Sequence, residues 1–355
     1  MISREPRGQA TLNAVRIAAR LRARGSRDEG FAMKLIMTAA VAGQFGAQVR
    51  SVAAGIELVR LNPDRTWADD PVEAEAAYLS VDALISGSML RLFDDLPHLT
   101  RLRWLHTFSI GVDHPAFLRV VERGITLTNG AGTQSIPIAQ YVLLMMLHHA
   151  KGMTNWERAQ ARHEWSRHGS EELTGKTVAL LGAGGIGGEV ARLAKALRMD
   201  VIALRRSRTP VEHVDELLRP GEEGELCARA DFLVICAPLT RETKGVIGTA
   251  ELARMKPSAY LINVARGPLV DERALIAALR ENRIAGAALD VFEVEPLPAE
   301  HELWTLPNVV ITPHLSPSSP MHIVRGTDLF IENLRRFVAG EPLQNIVDAA
   351  DVGTI

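Results

Sequence analysis

Three glycines at fixed spacing, in Gly182-Ala183-Gly184-Gly185-Ile186-Gly187, are the first residues in this chain whose types suggest chemistry. They follow the apolar run Thr177–Leu181, and Ile186, Val190, Leu193 and Leu197 then recur at helical spacing. Between a strand and a helix, Gly182 permits a tight turn and Gly184 lets the backbone approach an anion closely. Gly187 lets the helix pack on the sheet while its first amides face that anion. The pattern, with Gly185 and Ile186 inside it, predicts binding of a dinucleotide pyrophosphate; the alternative is a glycine-rich turn that holds nothing.

The strand after such a turn ends in an acid where a ribose carries a free 2′-hydroxyl, because a carboxylate accepts both ribose protons. Here Val201–Leu204 runs into Arg205-Arg206-Ser207-Arg208, guanidinium groups and a hydroxyl where a 2′-phosphate would sit. NADP(H) is therefore the preferred cofactor, with NAD(H) possible. The other reading of this stretch is a solvated basic loop.

These residues need a frame, and the chain supplies two sets of alternating strands and helices. In the first, Lys34–Thr38, Glu57–Leu61, Asp82–Ser86, Arg103–Thr107 and Ile125–Asn129 read as strands, with helices at Pro71–Leu79 and Pro115–Glu122. A long helix then starts near Ser135, with Pro137 in its first turn, and runs through Leu147. In the second set, Thr177–Leu181, Val201–Leu204, Asp231–Cys236, Ala259–Val264, Gly286–Asp290 and Asn308–Thr312 are six strands. A helix between them at Asp271–Glu281 is capped by Asp271. Six strands with interposed helices is the Rossmann pattern. One amphipathic helix, Ile323–Val338, closes the chain; if it returns to the first domain, that domain is discontinuous.

The length, 355 residues, suits two domains and cores that need no disulfide or metal. With 40 Lys and Arg against 42 Asp and Glu there is no global basic field, so nucleic acid is not the expected partner. The longest apolar run, Ile138–Leu147, is too short to cross a membrane. Cys227 and Cys236 are the only two cysteines, which suits a reducing cytoplasm and fits no zinc site. The remaining histidines, including His148, His149 and His163, form no metal-ligand spacing. Residues 1–32 hold seven Arg and no Lys, and precede the strand that begins at Met33. They read as a disordered extension or an upstream start in preference to a mitochondrial transit peptide.

Gly182–Gly187 is followed by Cys236-Ala-Pro-Leu-Thr240, Asn263-Val-Ala-Arg266-Gly267, Leu289-Asp290-Val-Phe-Glu-Val-Glu295-Pro296 and Thr312-Pro-His314. With Leu102–Asp113 and Leu127-Thr-Asn129 upstream, the ordered set resembles the D-isomer-specific 2-hydroxyacid dehydrogenases, in their glyoxylate/hydroxypyruvate reductase-like branch. The resemblance covers about Met33 to Asp348. It implies an α/β chain of two doubly wound parallel-sheet domains. One is a Rossmann dinucleotide-binding domain over 136–316; the other is a discontinuous flavodoxin-like substrate domain over 33–135 plus 317–355. It further implies a homodimer.

The resemblance also implies a catalytic triad of Arg266, Glu295 and His314. Reduction of a 2-keto acid needs an acid that titrates near neutrality and a cation for the carboxylate, and histidine and arginine supply these. His314 would donate the proton, Glu295 would orient its ring and favour the imidazolium, and Arg266 would grip the carboxylate and polarise the carbonyl. Ile110 and Gly111 match the loop that holds the substrate carboxylate by its amides. Ala237, Pro238 and Thr243 match positions beside the cofactor, Val264 and Ala265 flank Arg266, and Asp290 matches the acid that receives the nicotinamide amide.

This sequence departs from the family in two places. Leu315-Ser-Pro-Ser-Ser-Pro follows His314 where a small residue and glycine are usual, and Gln140 stands where relatives usually carry Glu. The function expected is NAD(P)H-dependent reduction of glyoxylate or hydroxypyruvate to the D-hydroxy acid. The alternatives are a dinucleotide-sensing co-repressor-like protein and a phosphoglycerate dehydrogenase.

Overall fold

The computed structural model describes residues 32–349 and Val352, so the expectation for residues 1–32 lies, apart from residue 32, outside the described residues. The chain divides into two compact units, one running up to Thr133 and resuming at Pro320, the other spanning Gln134–Ser319.

The first unit is built on β1 (Met33–Thr38), β2 (Ile56–Leu61), β3 (Ala74–Leu79), β4 (Trp104–Thr107) and β5 (Thr126–Thr128), a parallel sheet in the order β2-β1-β3-β4-β5. That order is the flavodoxin-like doubly wound one. Two expected elements are exchanged. Pro71–Leu79 was expected to be helical and holds β3, whereas Asp82–Ser86 was expected to be a strand and lies mostly within the helix Val81–Ile85. The segment Ala-Glu-Ala-Ala-Tyr-Leu has helix-favouring residues, but all six positions are buried in the sheet, and small side chains suit a strand covered on both faces. The final helix, Pro320–Ala339, packs Phe330, Leu334 and Phe337 into this unit's core, with Phe330 stacked on Tyr78 at 4.2 Å.

The second unit is a seven-stranded parallel sheet: β6 (Thr177–Leu181), β7 (Asp200–Leu204), β8 (Glu216–Leu218), β9 (Phe232–Ile235), β10 (Tyr260–Asn263), β11 (Gly286–Leu289) and β12 (Val309–Ile311). Its order is β12-β11-β10-β9-β6-β7-β8. The six expected strands are all present; the seventh, β8, is a three-residue edge strand too short to carry a period. The direction of winding reverses between β6 and β9, and the crevice beyond their C-terminal ends is where open α/β sheets bind ligands. One face of the sheet is covered by the long helix Ser135–Lys151, through Ile138, Val142, Met145 and Met146. The opposite face, with Leu181, Leu204, Ile235, Leu261 and Leu289, packs on the helices Glu223–Arg229, Thr249–Leu252 and Glu272–Arg280. Asp271 caps that helix as expected, its side chain accepting from the Ala274 amide at 3.0 Å.

Candidate active site

The glycine loop leaves β6 at the centre of the second unit's sheet. Gly182 has φ +102°, and a Cβ there would lie 2.7 Å from the Ala237 amide nitrogen, so both conformation and space demand glycine. A Cβ on Gly187 would collide with the Gly182 carbonyl, whereas none of the surrounding atoms comes within 4 Å of one on Gly184. The helix Gly185–Ala196 therefore starts hard against the strand and leaves open space where its N-terminal amides could meet an anion. The sequence does not reveal the support beneath this turn. Cys236 Sγ donates to the Gly182 carbonyl at 2.9 Å, and burial pushes that thiol up to about 12, which keeps it protonated.

Ala237 and Pro238 follow β9 at the same end of the sheet. The Thr243 hydroxyl donates to the Pro238 carbonyl at 2.8 Å and accepts the Thr240 amide at 2.8 Å, so it shapes this loop. Beyond β7, the Arg205 amide bonds to Leu218 of β8 at 3.2 Å, which anchors the start of the basic stretch. Ser207 Oγ donates to Thr209 Oγ1 at 3.1 Å. Arg205, Arg206 and Arg208 form no ion pair among the described residues, and the charge of Arg206 reaches one acid nearby. Glu242 is the acid that feels it: its carboxyl lies below the ordinary value through the Thr240 hydroxyl first, with smaller contributions from Arg206 and Arg241.

Arg266 lies past β10, beyond Val264 and Ala265. Asn263, the last residue of the strand, ties that turn from within: its Nδ2 donates to the Arg266 carbonyl at 3.0 Å and its Oδ1 accepts the Ala265 amide at 3.1 Å. Arg266 Nη1 donates to the Ala265 carbonyl at 2.8 Å. The next residue, Gly267, touches the Phe292–Glu293 peptide so closely that a Cβ would overlap it. This contact fixes the Arg266 turn against the loop that bears Glu295.

Glu295 Oε1 accepts the Phe292 amide at 3.0 Å, and Oε2 accepts His314 Nδ1 at 2.8 Å. Burial raises the Glu295 carboxyl, but the His314 hydrogen bond, the Phe292 amide and the charges of His314 and Arg266 outweigh it and leave it below the usual value. A carboxylate only accepts, so Nδ1 carries a hydrogen and Nε2 is the ring nitrogen left to face a substrate. The side chains are 43% and 35% exposed, accessible to a small molecule.

Asp290 is fully buried at the end of β11 and binds the segment that carries His314. Its Oδ1 accepts from Thr312 Oγ1 at 2.6 Å and from the Leu315 amide at 2.9 Å, and its Oδ2 accepts the Ser316 amide at 2.9 Å. One acceptor position on Oδ2 is left beyond these. Ile110 and Gly111 belong to the first unit, in the loop after β4, where Asn129 Nδ2 holds the Ile110 carbonyl at 2.8 Å. Neither of their amides is engaged by another described group.

The sequence-predicted triad is thus brought together by three strand ends of one sheet. A profile for "D-isomer specific 2-hydroxyacid dehydrogenase, NAD binding domain" matches residues 143–316. A glyoxylate reductase of Thermococcus gammatolerans is 36% identical over 284 residues, covering 76% of this chain and 83% of that protein. The chain belongs to the D-isomer-specific 2-hydroxyacid dehydrogenase family. Its reaction class is NAD(P)-dependent oxidoreduction at a CH–OH group, within the family's glyoxylate reductase-like branch. A solved dehydrogenase of the family from Xanthobacter autotrophicus Py2, in complex with NADPH and MES, superposes with a TM-score of 0.75 at 31% identity, covering 90% of this chain and 98% of that one. A D-3-phosphoglycerate dehydrogenase of Methanocaldococcus jannaschii is 34% identical over 76% of this chain, which spans about half (52%) of that protein's length. Among the described residues, no helix is long and apolar enough to cross a membrane and no cluster of His, Cys, Asp and Glu could hold a metal ion.

Proposed function

We propose that this dehydrogenase reduces a small 2-keto acid of the glyoxylate or hydroxypyruvate type to the D-2-hydroxy acid, with NADPH preferred over NADH. The observation that carries the proposal is the 2.8 Å bond from His314 Nδ1 to Glu295, whose carboxylate also feels the charge of Arg266. When bound, the dihydronicotinamide supplies the hydride to the carbonyl carbon. As that bond forms, the carbonyl oxygen gains the electron pair of the broken π bond and takes a proton from His314 Nε2. Glu295 holds the ring in place, and Arg266 grips the carboxylate and stabilises charge growing on the oxygen.

The open space over Gly184 and the amides of the following helix suit the pyrophosphate. Arg205 and Arg206, which form no ion pair among the described residues, suit a 2′-phosphate together with Ser207. Asp290 is placed beside the nicotinamide amide by the family resemblance, its fully buried side chain acting there through the segment it holds. A homodimer in the cytoplasm belongs to the same proposal. The helix Ser135–Lys151 buries one face but leaves Ile136, Leu144 and Leu147 exposed at 42%, 56% and 36%, an apolar stripe that a second copy would cover.

Steady-state oxidation of NADPH and NADH in the presence of glyoxylate, hydroxypyruvate and 3-phosphohydroxypyruvate tests the reading. The first two acids should turn over with NADPH. Turnover with 3-phosphohydroxypyruvate alone would favour the phosphoglycerate dehydrogenase reading that the Methanocaldococcus relative supports. No turnover with any of them would sink the proposal. Light scattering at micromolar concentration should give twice the mass of one chain.

A further inference from the structure

The segment that carries His314 is held in an unusual conformation. His314 has φ +55°, a left-handed value that a residue with a Cβ adopts at a cost and keeps only where its surroundings dictate it. Those surroundings are a single side chain and its neighbours. Asp290 binds Thr312 on one side of the histidine and Leu315 and Ser316 on the other, and its own carbonyl accepts the His314 amide at 2.9 Å.

One more group joins this cluster from outside the strand ends. Tyr141, in the helix Ser135–Lys151, places its hydroxyl 2.8 Å from Thr312 Oγ1. Proton counting fixes the direction. The two amides on Asp290 can only donate, so its oxygens are acceptors, and the one hydroxyl hydrogen of Thr312 points to Oδ1 at 2.6 Å. Thr312 Oγ1 can then only accept from Tyr141. Burial first, opposed by the Thr312 bond, pushes the phenol up to about 12, which keeps it a donor.

We propose that Tyr141 is a positioning residue for the acid. Its hydroxyl orients Thr312, Thr312 and Asp290 hold the left-handed turn at His314, and the turn aims Nε2 at the carbonyl oxygen. This rests on the assignment of His314 as the proton donor. Positioning of a proton donor acts on the step after substrate has bound, so its loss lowers kcat and leaves the affinity for NADPH alone.

The test compares the full chain with Tyr141→Phe, Thr312→Val, Thr312→Ser and His314→Ala. For each, kcat and KM with glyoxylate, the Kd for NADPH, the solvent deuterium isotope effect on kcat and the melting temperature are measured. Tyr141→Phe removes one hydrogen bond and should lower kcat roughly three- to ten-fold, with Kd within two-fold and a larger isotope effect as proton transfer becomes slower. Thr312→Val should lose more, and Thr312→Ser should restore most of what valine removes. Parent-like kcat in Tyr141→Phe and Thr312→Val, beside an inactive His314→Ala, would overturn the relay while leaving the acid assignment standing. Losses that track the melting temperature, with an unchanged isotope effect, would overturn it as well and reduce Tyr141 to packing. Parent-like turnover in His314→Ala would instead remove the acid assignment and the relay with it.

Discussion

Glu295 holds His314 by one oxygen and its own loop by the other, accepting the imidazole at 2.8 Å and the Phe292 amide at 3.0 Å. The carboxylate is thereby fixed between two donors, and its position reports the position of the turn that Gly267 packs against. A group so placed orients the ring and fixes which of its nitrogens carries the hydrogen toward Glu295.

Because the Glu295 carboxyl lies below its usual value, it is ionised at neutral pH. In Glu295→Gln the ring loses its charged acceptor and the orientation it gives, so kcat with glyoxylate should fall by roughly ten-fold or more while NADPH still binds. A parent-like kcat would remove Glu295 from the chemistry.

His314→Ala should lower turnover by about 10² to 10⁴ while NADPH still binds. Arg266→Ala should also raise the KM for the keto acid, since it loses a bidentate partner for the carboxylate. Equilibrium titration with NADPH, beside the kinetics, separates these effects from loss of fold.

The basic stretch after β7 predicts cofactor choice. The parent should favour NADPH over NADH by roughly ten-fold or more in kcat/KM, and added salt should weaken NADPH binding more than NADH binding. Arg205→Asp combined with Arg206→Gln should reverse the ranking. Equal use of both cofactors by the parent at low ionic strength would show that these guanidinium groups face only solvent.

Acid stability offers a prediction independent of catalysis. His106 is buried in β4, with Nδ1 at 2.7 Å from Thr128 Oγ1 and Nε2 without a hydrogen-bond partner, and burial lowers it from 6.5 to about 3. Between those values the unfolded chain binds the extra proton. This contribution to stability is therefore complete above pH 6.5 and is lost as pH falls towards 3, by up to about 1.4 kcal/mol per pH unit. Urea unfolding midpoints of the parent should drop between pH 7 and 5 by more than those of His106→Leu; equal drops would mean that the buried ring is not the sensor.

The glycine loop was legible in the sequence because its constraints are local: Gly182 needs a positive φ and Gly187 has a carbonyl where a Cβ would be. Arg266, Glu295 and His314 were legible as an ordered set, although nothing in their spacing shows that three loops converge. What stayed hidden depends on contacts between distant segments. The bonds of Asp290 to Thr312, Leu315 and Ser316 are one such case, and Tyr141 reads as one more core residue in an apolar helix. The exchange of strand and helix between Pro71 and Ser86 has the same origin, since burial on both faces of a sheet overrode the helical preference of Ala74–Leu79.

The contact of Gly267 with the Phe292–Glu293 peptide also limits how this protein can diverge. Every replacement at that position introduces a Cβ into the opposing backbone, so inheritance has no graded path through it. The arginine turn and the glutamate loop therefore stay in register with each other only while residue 267 is glycine. A mutational library aimed at new keto acids should leave Gly267 untouched.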